Sequence, residues 1–129
     1  MNRILIIDDD SDCAQLAQLQ LQQLLGDQVE TCLAPTLEDS IQLMAHGFEP
    51  NLVMLDLNLP DGAGVECVAR IRARLPNTPI LIMTGRDRDH VVAECLAGGA
   101  NGYLQKGCGL ERLSDAISIG ISPEVVTPH

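Results

Sequence analysis

At 129 residues, with 18 acidic residues against 8 basic and a formal charge of −10, the chain has the length of one ordinary domain and is ill suited to direct contact with nucleic acid phosphates or an anionic membrane surface. Its five cysteines make an odd total without a CxxC pair, which argues against a zinc site or a disulfide framework and for small thiols in a reducing cytoplasm. Phe48 and Tyr103 are the only aromatics, so the core has to be assembled from Leu, Ile, Val, Met and Ala.

The N-terminus enters strand-like sequence at once, and no apolar stretch approaches the ~18 residues of a membrane span. No signal peptide is recognisable, and a soluble cytoplasmic protein is expected. The first run, Arg3–Ile7, breaks straight into Asp8-Asp9-Asp10. A helix is predicted from Ser11 or Asp12 to Leu25, stopping at Gly26, with Cys13, Ala17, Leu21 and Leu24 on the face that covers the sheet and Leu16 and Leu19 projecting away. A second strand is predicted over Gln28–Leu33. The next helix has Thr36 as N-cap, with Asp39 in a capping-box-like position, and ends at His46-Gly47. The third strand, Leu52–Leu55, ends on Asp56, and its helix begins near Gly64 and stops before Pro76. Strand four is read over Pro79–Met83 with a helix over about Arg88–Ala97, closed by Gly98-Gly99. Strand five, Gly102–Leu104, precedes a helix over about Leu110–Ile119 that stops near Gly120 and Pro123.

Strands alternating with helices imply right-handed crossovers and a parallel sheet covered on both faces. A strand buried on both faces reads as a continuous apolar run, so a carboxylate after such a run marks the exit from the core. Two runs end that way, at Asp8–Asp10 and at Asp56. Ligands bind at the carboxyl ends of parallel strands. Carboxylates gathered there repel one another unless a cation compensates them, and oxygen-only ligands favour a hard ion such as Mg²⁺. Taken singly, each residue also has an ordinary reading: Asp8–Asp10 as an acidic helix cap, Lys106 as a solvated lysine, Thr84 as a strand residue, Asp61-Gly62 as a turn.

Taken in order, four motifs at four strand ends resemble the response-regulator receiver domain of two-component signal transduction. They are Ile-Ile-Asp-Asp-Asp, Leu-Asp-Leu-Asn-Leu-Pro-Asp-Gly around Asp56, Met-Thr-Gly at Thr84, and Tyr-Leu-Gln-Lys ending at Lys106. The resemblance covers about residues 3–120 and implies a flavodoxin-like (βα)5 doubly wound sheet of order 2-1-3-4-5. It further implies that Asp56 accepts a phosphoryl group from a sensor histidine kinase or a histidine phosphotransfer protein. Asp8, Asp9, Asp56 and the backbone carbonyl of Asn58 resemble the family's Mg²⁺ ligands, and Lys106 and Thr84 would contact the phosphoryl oxygens. Tyr103 would be the switch aromatic on a partner surface formed by helix four, strand five and helix five. In the family the residue after the lysine is commonly a cis proline; here it is Gly107, and a trans bond is expected because non-proline cis costs ~2.5–4 kcal/mol.

The domain is expected over residues 1–121, with 122–129 a short tail or the start of a linker to an output domain. An effector partner and no turnover chemistry on an external substrate follow from the resemblance, which leaves a phosphorylation-dependent homodimer open. Two other readings share the topology. A small aspartyl-phosphate-forming phosphatase needs a substrate cap, and no inserted segment is long enough to make one. A flavin-binding domain needs a phosphate loop where Asp8–Asp10 would repel the ligand.

Overall fold

The computed structural model describes residues 2–62, 64–85, 89–106 and 109–121. Its elements run β1 (Asn2–Ile7), α1 (Ser11–Leu25), β2 (Val29–Ala34), α2 (Leu37–Ala45), β3 (Leu52–Asp56), α3 (Gly64–Arg74), β4 (Ile80–Thr84), α4 (Asp89–Ala97), β5 (Gly102–Gln105) and α5 (Leu110–Ile121). All strand pairings are parallel, in the order β2-β1-β3-β4-β5. This is the flavodoxin-like order expected from the resemblance.

The continuous apolar runs have a simple origin. Successive side chains of a strand point to opposite faces, and both faces here are covered. Leu5 and Ile7 of β1 join Val53, Leu55, Ile80 and Ile82 in the layer beneath α2, α3 and α4. Ile4 and Ile6 join Leu52, Met54, Leu81 and Met83 in the layer beneath α1 and α5. Residues 4–7 and 52–55 are fully buried.

The helix boundaries follow local chemistry. Asp10 caps α1, its carboxylate accepting from the backbone N–H groups of Asp12 and Cys13, and the chain leaves at Gly26 with φ +59°, a left-handed value that glycine adopts without strain. Ala14 belongs to the buried face of α1 beside Ala17 and Leu21, whereas Cys13 and Leu24 are only half-buried. Thr36 caps α2 by accepting from Asp39 N–H. Helix α5 runs through Gly120 to Ile121 rather than stopping there. The start of α4 at Arg88, the tail from Ser122, and the Lys106-Gly107 bond lie outside the described residues. No described helix is long and apolar enough to cross a membrane.

Strands β2 to β5 each run one residue further than the sequence suggests, and in β3 and β4 the extra residues are Asp56 and Thr84. Asp56 pairs with Met83 and Thr84 with Gln105. The sheet ladder itself therefore orients both side chains.

Candidate functional site: an acidic crevice at the carboxyl ends of the strands

Register brings the carboxylates together. Ile4 pairs with Leu52 and Ile6 with Met54, so two residues further on Asp8 and Asp56 continue the same face of adjacent strands. Asp8 N–H donates to the Ala34 carbonyl at 2.9 Å, fixing the β1 exit against β2. Ligand atoms of Asp8, Asp9 and Asp56 all lie within 4.8 Å of one another. Asp8 and Asp56 are buried, while Asp9 is exposed at the rim.

Lys106 supplies the cation. Its Nζ stands 3.2 Å from Asp56 Oδ1 and 3.3 Å from Asp8 Oδ2. Its backbone N–H donates to the Thr84 carbonyl at 2.8 Å, which places the end of β5 beside the end of β4. Burial would lower the Lys106 ammonium, but Asp56 and Asp8 outweigh it and hold the group above its ordinary value. Burial raises the Asp56 carboxyl, and Asp8 adds to the shift. The Asn58 N–H and Lys106 oppose it without cancelling it.

Asp8 Oδ1 accepts from the Asp10 N–H at 3.0 Å and from Lys106 Nζ at 3.4 Å, whereas the buried Asp8 Oδ2 has the same ammonium at 3.3 Å as an ion pair but no hydrogen bond. One ammonium shared between two buried carboxylates leaves an excess of negative charge that a further cation would compensate. The group of three carboxylates, with no sulfur or nitrogen ligand among the described residues, suits a hard divalent ion such as Mg²⁺.

The other expected site residues stand as follows. Thr84 is buried at the rim of β4, its hydroxyl donating to the Gly85 carbonyl at 3.0 Å rather than to any of the acids. The Asn58 N–H donates to Asp56 Oδ1 at 3.2 Å. Tyr103 is 57% exposed and points outward. A Cβ built on Gly85, beside Thr84, would meet nothing within 4 Å among the described residues. His46 caps α2, its ring Nδ1 2.7 Å from the Gln42 carbonyl, and His90 is exposed on α4; neither belongs to the crevice.

The sequence missed one residue that shapes this end of the molecule. Asp61, read as a turn residue, sends its carboxylate to the N-terminus of α2, where Oδ1 and Oδ2 accept from the Leu37 and Glu38 N–H groups at 3.0 Å each. Burial raises the Asp61 carboxyl, yet these backbone donors outweigh it and hold the group below its ordinary value. No local pattern announces a helix cap supplied from 24 positions away.

These carboxylates and their lysine, at the carboxyl ends of β1, β3 and β5 in a sheet of order 2-1-3-4-5, decide the family together with the comparisons. The family model for the response regulator receiver domain matches residues 4–118. The chain belongs to this family. Among curated relatives, the receiver is 35% identical over 104 residues to the cell cycle transcriptional regulator CtrA of Caulobacter vibrioides, covering 81% of this chain and 43% of that protein. It is 29% identical over 120 residues to the response regulator protein PilR of Pseudomonas aeruginosa, covering 92% of this chain and 26% of that protein. The receiver thus spans less than half the length of either relative. A crystal structure of a two-component response regulator from Clostridium difficile superposes with a TM-score of 0.84 at 27% identity, covering 98% of this chain and all of that one.

Proposed function

We propose that this receiver is a switch set by phosphorylation of Asp56. The observation that carries the reading is the bridging of Asp8 and Asp56 by Lys106 Nζ at 3.3 and 3.2 Å within a three-carboxylate crevice. That arrangement offers a nucleophilic oxygen, an adjacent cation, and three carboxylates close enough to share a second cation. As an Asp56 oxygen bonds to phosphorus, the phosphorus–nitrogen bond of a phosphohistidine donor breaks, and the imidazole keeps the electron pair. The approach of a carboxylate to a phosphoryl group meets like-charge repulsion, so charge on the transferring oxygens has to be neutralised from the protein side.

Mg²⁺ held by Asp8, Asp9, Asp56 and the Asn58 carbonyl would supply part of that neutralisation. Lys106 supplies the rest, exchanging part of its contact with Asp56 for a phosphoryl oxygen. Thr84 would turn its hydroxyl from the Gly85 carbonyl to the phosphoryl group, and Tyr103 would leave its exposed position for the space behind Thr84. Two packings biased by new contacts make such a switch. The partner surface is then α4, β5 and α5. The phosphodonor is a sensor histidine kinase or histidine phosphotransfer protein, and the effector is a second protein or an output domain. A homodimer formed on phosphorylation is a further consequence of that surface change. The α1 surface bearing Leu16 and Leu19 is the proposed docking place for the phosphodonor.

Amide exchange tests the switch. Protein treated with beryllofluoride and Mg²⁺ should gain protection at residues 84–88 and 103–107 relative to the free form. Unchanged exchange in both segments would remove the switch.

A further inference from the structure

Two loops contribute to the crevice, and they are joined outside it. The segment between Asp56 and α3 carries Asn58 between the buried Leu57 and Leu59. Three residues past Asn58, Asp61 reaches across to α2 and takes the first two N–H groups of that helix, at 3.0 Å each. Thr36 takes the third, from Asp39, also at 3.0 Å. The helix start is thereby almost fully satisfied, two-thirds of it by a residue from another loop. The contact is backed by packing: a Cβ on Gly62 would lie 2.9 Å from Cys67 Sγ and 4.0 Å from Leu37 Cδ2.

The α2 start is itself tied to the metal side of the crevice. It follows Ala34, whose carbonyl accepts the Asp8 N–H at 2.9 Å. A closed circuit results, from Asp8 through Ala34 and the α2 N-terminus to Asp61, back along the loop to Asn58 and Asp56, and across the β1–β3 ladder to Asp8. Opening the circuit at Asp61 would free the Asn58 segment from the β2–α2 connection without removing any group that faces the crevice.

We infer that Asp61 is a positioning residue for divalent-cation binding, acting by holding the Asn58 segment in place relative to Asp8. The inference rests on the proposed cation site. It gives the Asp61-Gly62 turn a task that its sequence reading does not contain: a carboxylate that faces a helix rather than the ion sets how well the ion is held. Removing a group hydrogen-bonded directly to a metal ligand weakens metal binding by about 10–100-fold; Asp61 holds the ligand segment through the α2 start instead, so the low end of that range is expected.

The test is Mg²⁺ titration of the whole chain by calorimetry, since the protein has no Trp to report binding, together with amide exchange of the metal-free protein. Asp61→Ala should bind Mg²⁺ about tenfold more weakly and lose protection at the Leu37 and Glu38 amides. Phosphorylation of Asp56 by acetyl phosphate at saturating Mg²⁺ should stay at the wild-type rate, because no reacting group has changed. Asp61→Asn, which retains one acceptor oxygen, should fall between the two and decides the matter if the Ala variant does not fold. Asp39→Asn removes a nearby charge without cutting the circuit and should alter Mg²⁺ affinity by less than about twofold. Undiminished Mg²⁺ affinity in folded Asp61 variants overturns the inference alone, as does an equal loss in Asp39→Asn. Absence of Mg²⁺ binding in the wild type removes the cation site and this inference with it.

Discussion

Lys106 decides what state the crevice is in before any ion arrives. Its ammonium separates two buried carboxylates, so Lys106→Met, which keeps the apolar stem, leaves Asp8 and Asp56 facing each other. The metal-free protein should lose about 1–3 kcal/mol of stability, with part of the loss recovered in Mg²⁺; thermal melts with and without the ion measure both. Asp56 behaves oppositely. Its folded carboxyl is raised from 3.8, so its favourable contribution is complete below that value and lost as pH rises through the folded value. At neutral pH the ionised group therefore strains the metal-free fold. Asp56→Asn should melt higher than wild type at pH 7 by a few degrees, about 1 kcal/mol, and the gap should close at acid pH. Lys106, raised above 10.5, stabilises fully below that value and stops doing so as pH rises through its folded value. Asp9 and Asp10 divide the tasks that the sequence left open between cap and ligand. Asp9→Ala should not lower the metal-free melting temperature, whereas Asp10→Ala should, because only Asp10 accepts from the Asp12 and Cys13 N–H groups.

At the scale of elements, α1 shows an outward pair whose role is separable from folding. Leu16 and Leu19 are 51% and 58% exposed, so Leu16→Ser should shift stability by less than about 0.5 kcal/mol. It should nonetheless slow phosphoryl transfer from the cognate kinase while leaving labelling by acetyl phosphate unaltered. A rate with the kinase equal to wild type would remove the docking role. The far end of the sheet depends on a residue that no motif announces. Arg72 donates to the carbonyls of Leu75, Thr78 and Gly99 and to Asn101 Oδ1 at 2.7–2.9 Å. It binds the end of α3 to the entries of β4 and β5. Arg72→Met should cost about 1–3 kcal/mol in denaturant unfolding.

The elements themselves were legible because period and punctuation agree. Apolar runs of strand length, glycine stops at Gly26 and Gly47, and the Thr36 cap all act locally. What was not legible is whatever depends on a partner distant in the chain. The ladder carries β3 and β4 one residue further through pairing with β4 and β5. Ala14, by contrast, shares the face of Ala17 and Leu21 by helical spacing alone, a local signal that the choice of Cys13 and Leu24 passed over. Helix α5 passes Gly120 because a glycine within a helix costs only about 1 kcal/mol. Asp61 and Arg72 act across loops that sequence spacing does not relate.

For the whole molecule, strand order turns a reading of motifs into a site. Adjacent β1 and β3 put Asp8 beside Asp56, and β4 beside β5 puts Thr84 beside Lys106. The acids were legible because each follows an apolar strand, whereas Lys106 follows the half-exposed run Gly-Tyr-Leu-Gln and was legible only through the family resemblance; the Thr84 hydroxyl, turned to Gly85, and the outward Tyr103 are arrangements that no sequence pattern specifies. In the proposed switch the crevice makes Asp56 a phosphoryl acceptor that depends on a divalent ion. Intact-mass measurement after incubation with acetyl phosphate tests it most directly, using wild type with Mg²⁺, wild type with the ion chelated, and Asp56→Asn with Mg²⁺. One phosphoryl group should appear in the first sample and in neither of the others; equal labelling of Asp56→Asn, or labelling indifferent to chelation, would mean that Asp56 is not an ion-dependent phosphoryl acceptor.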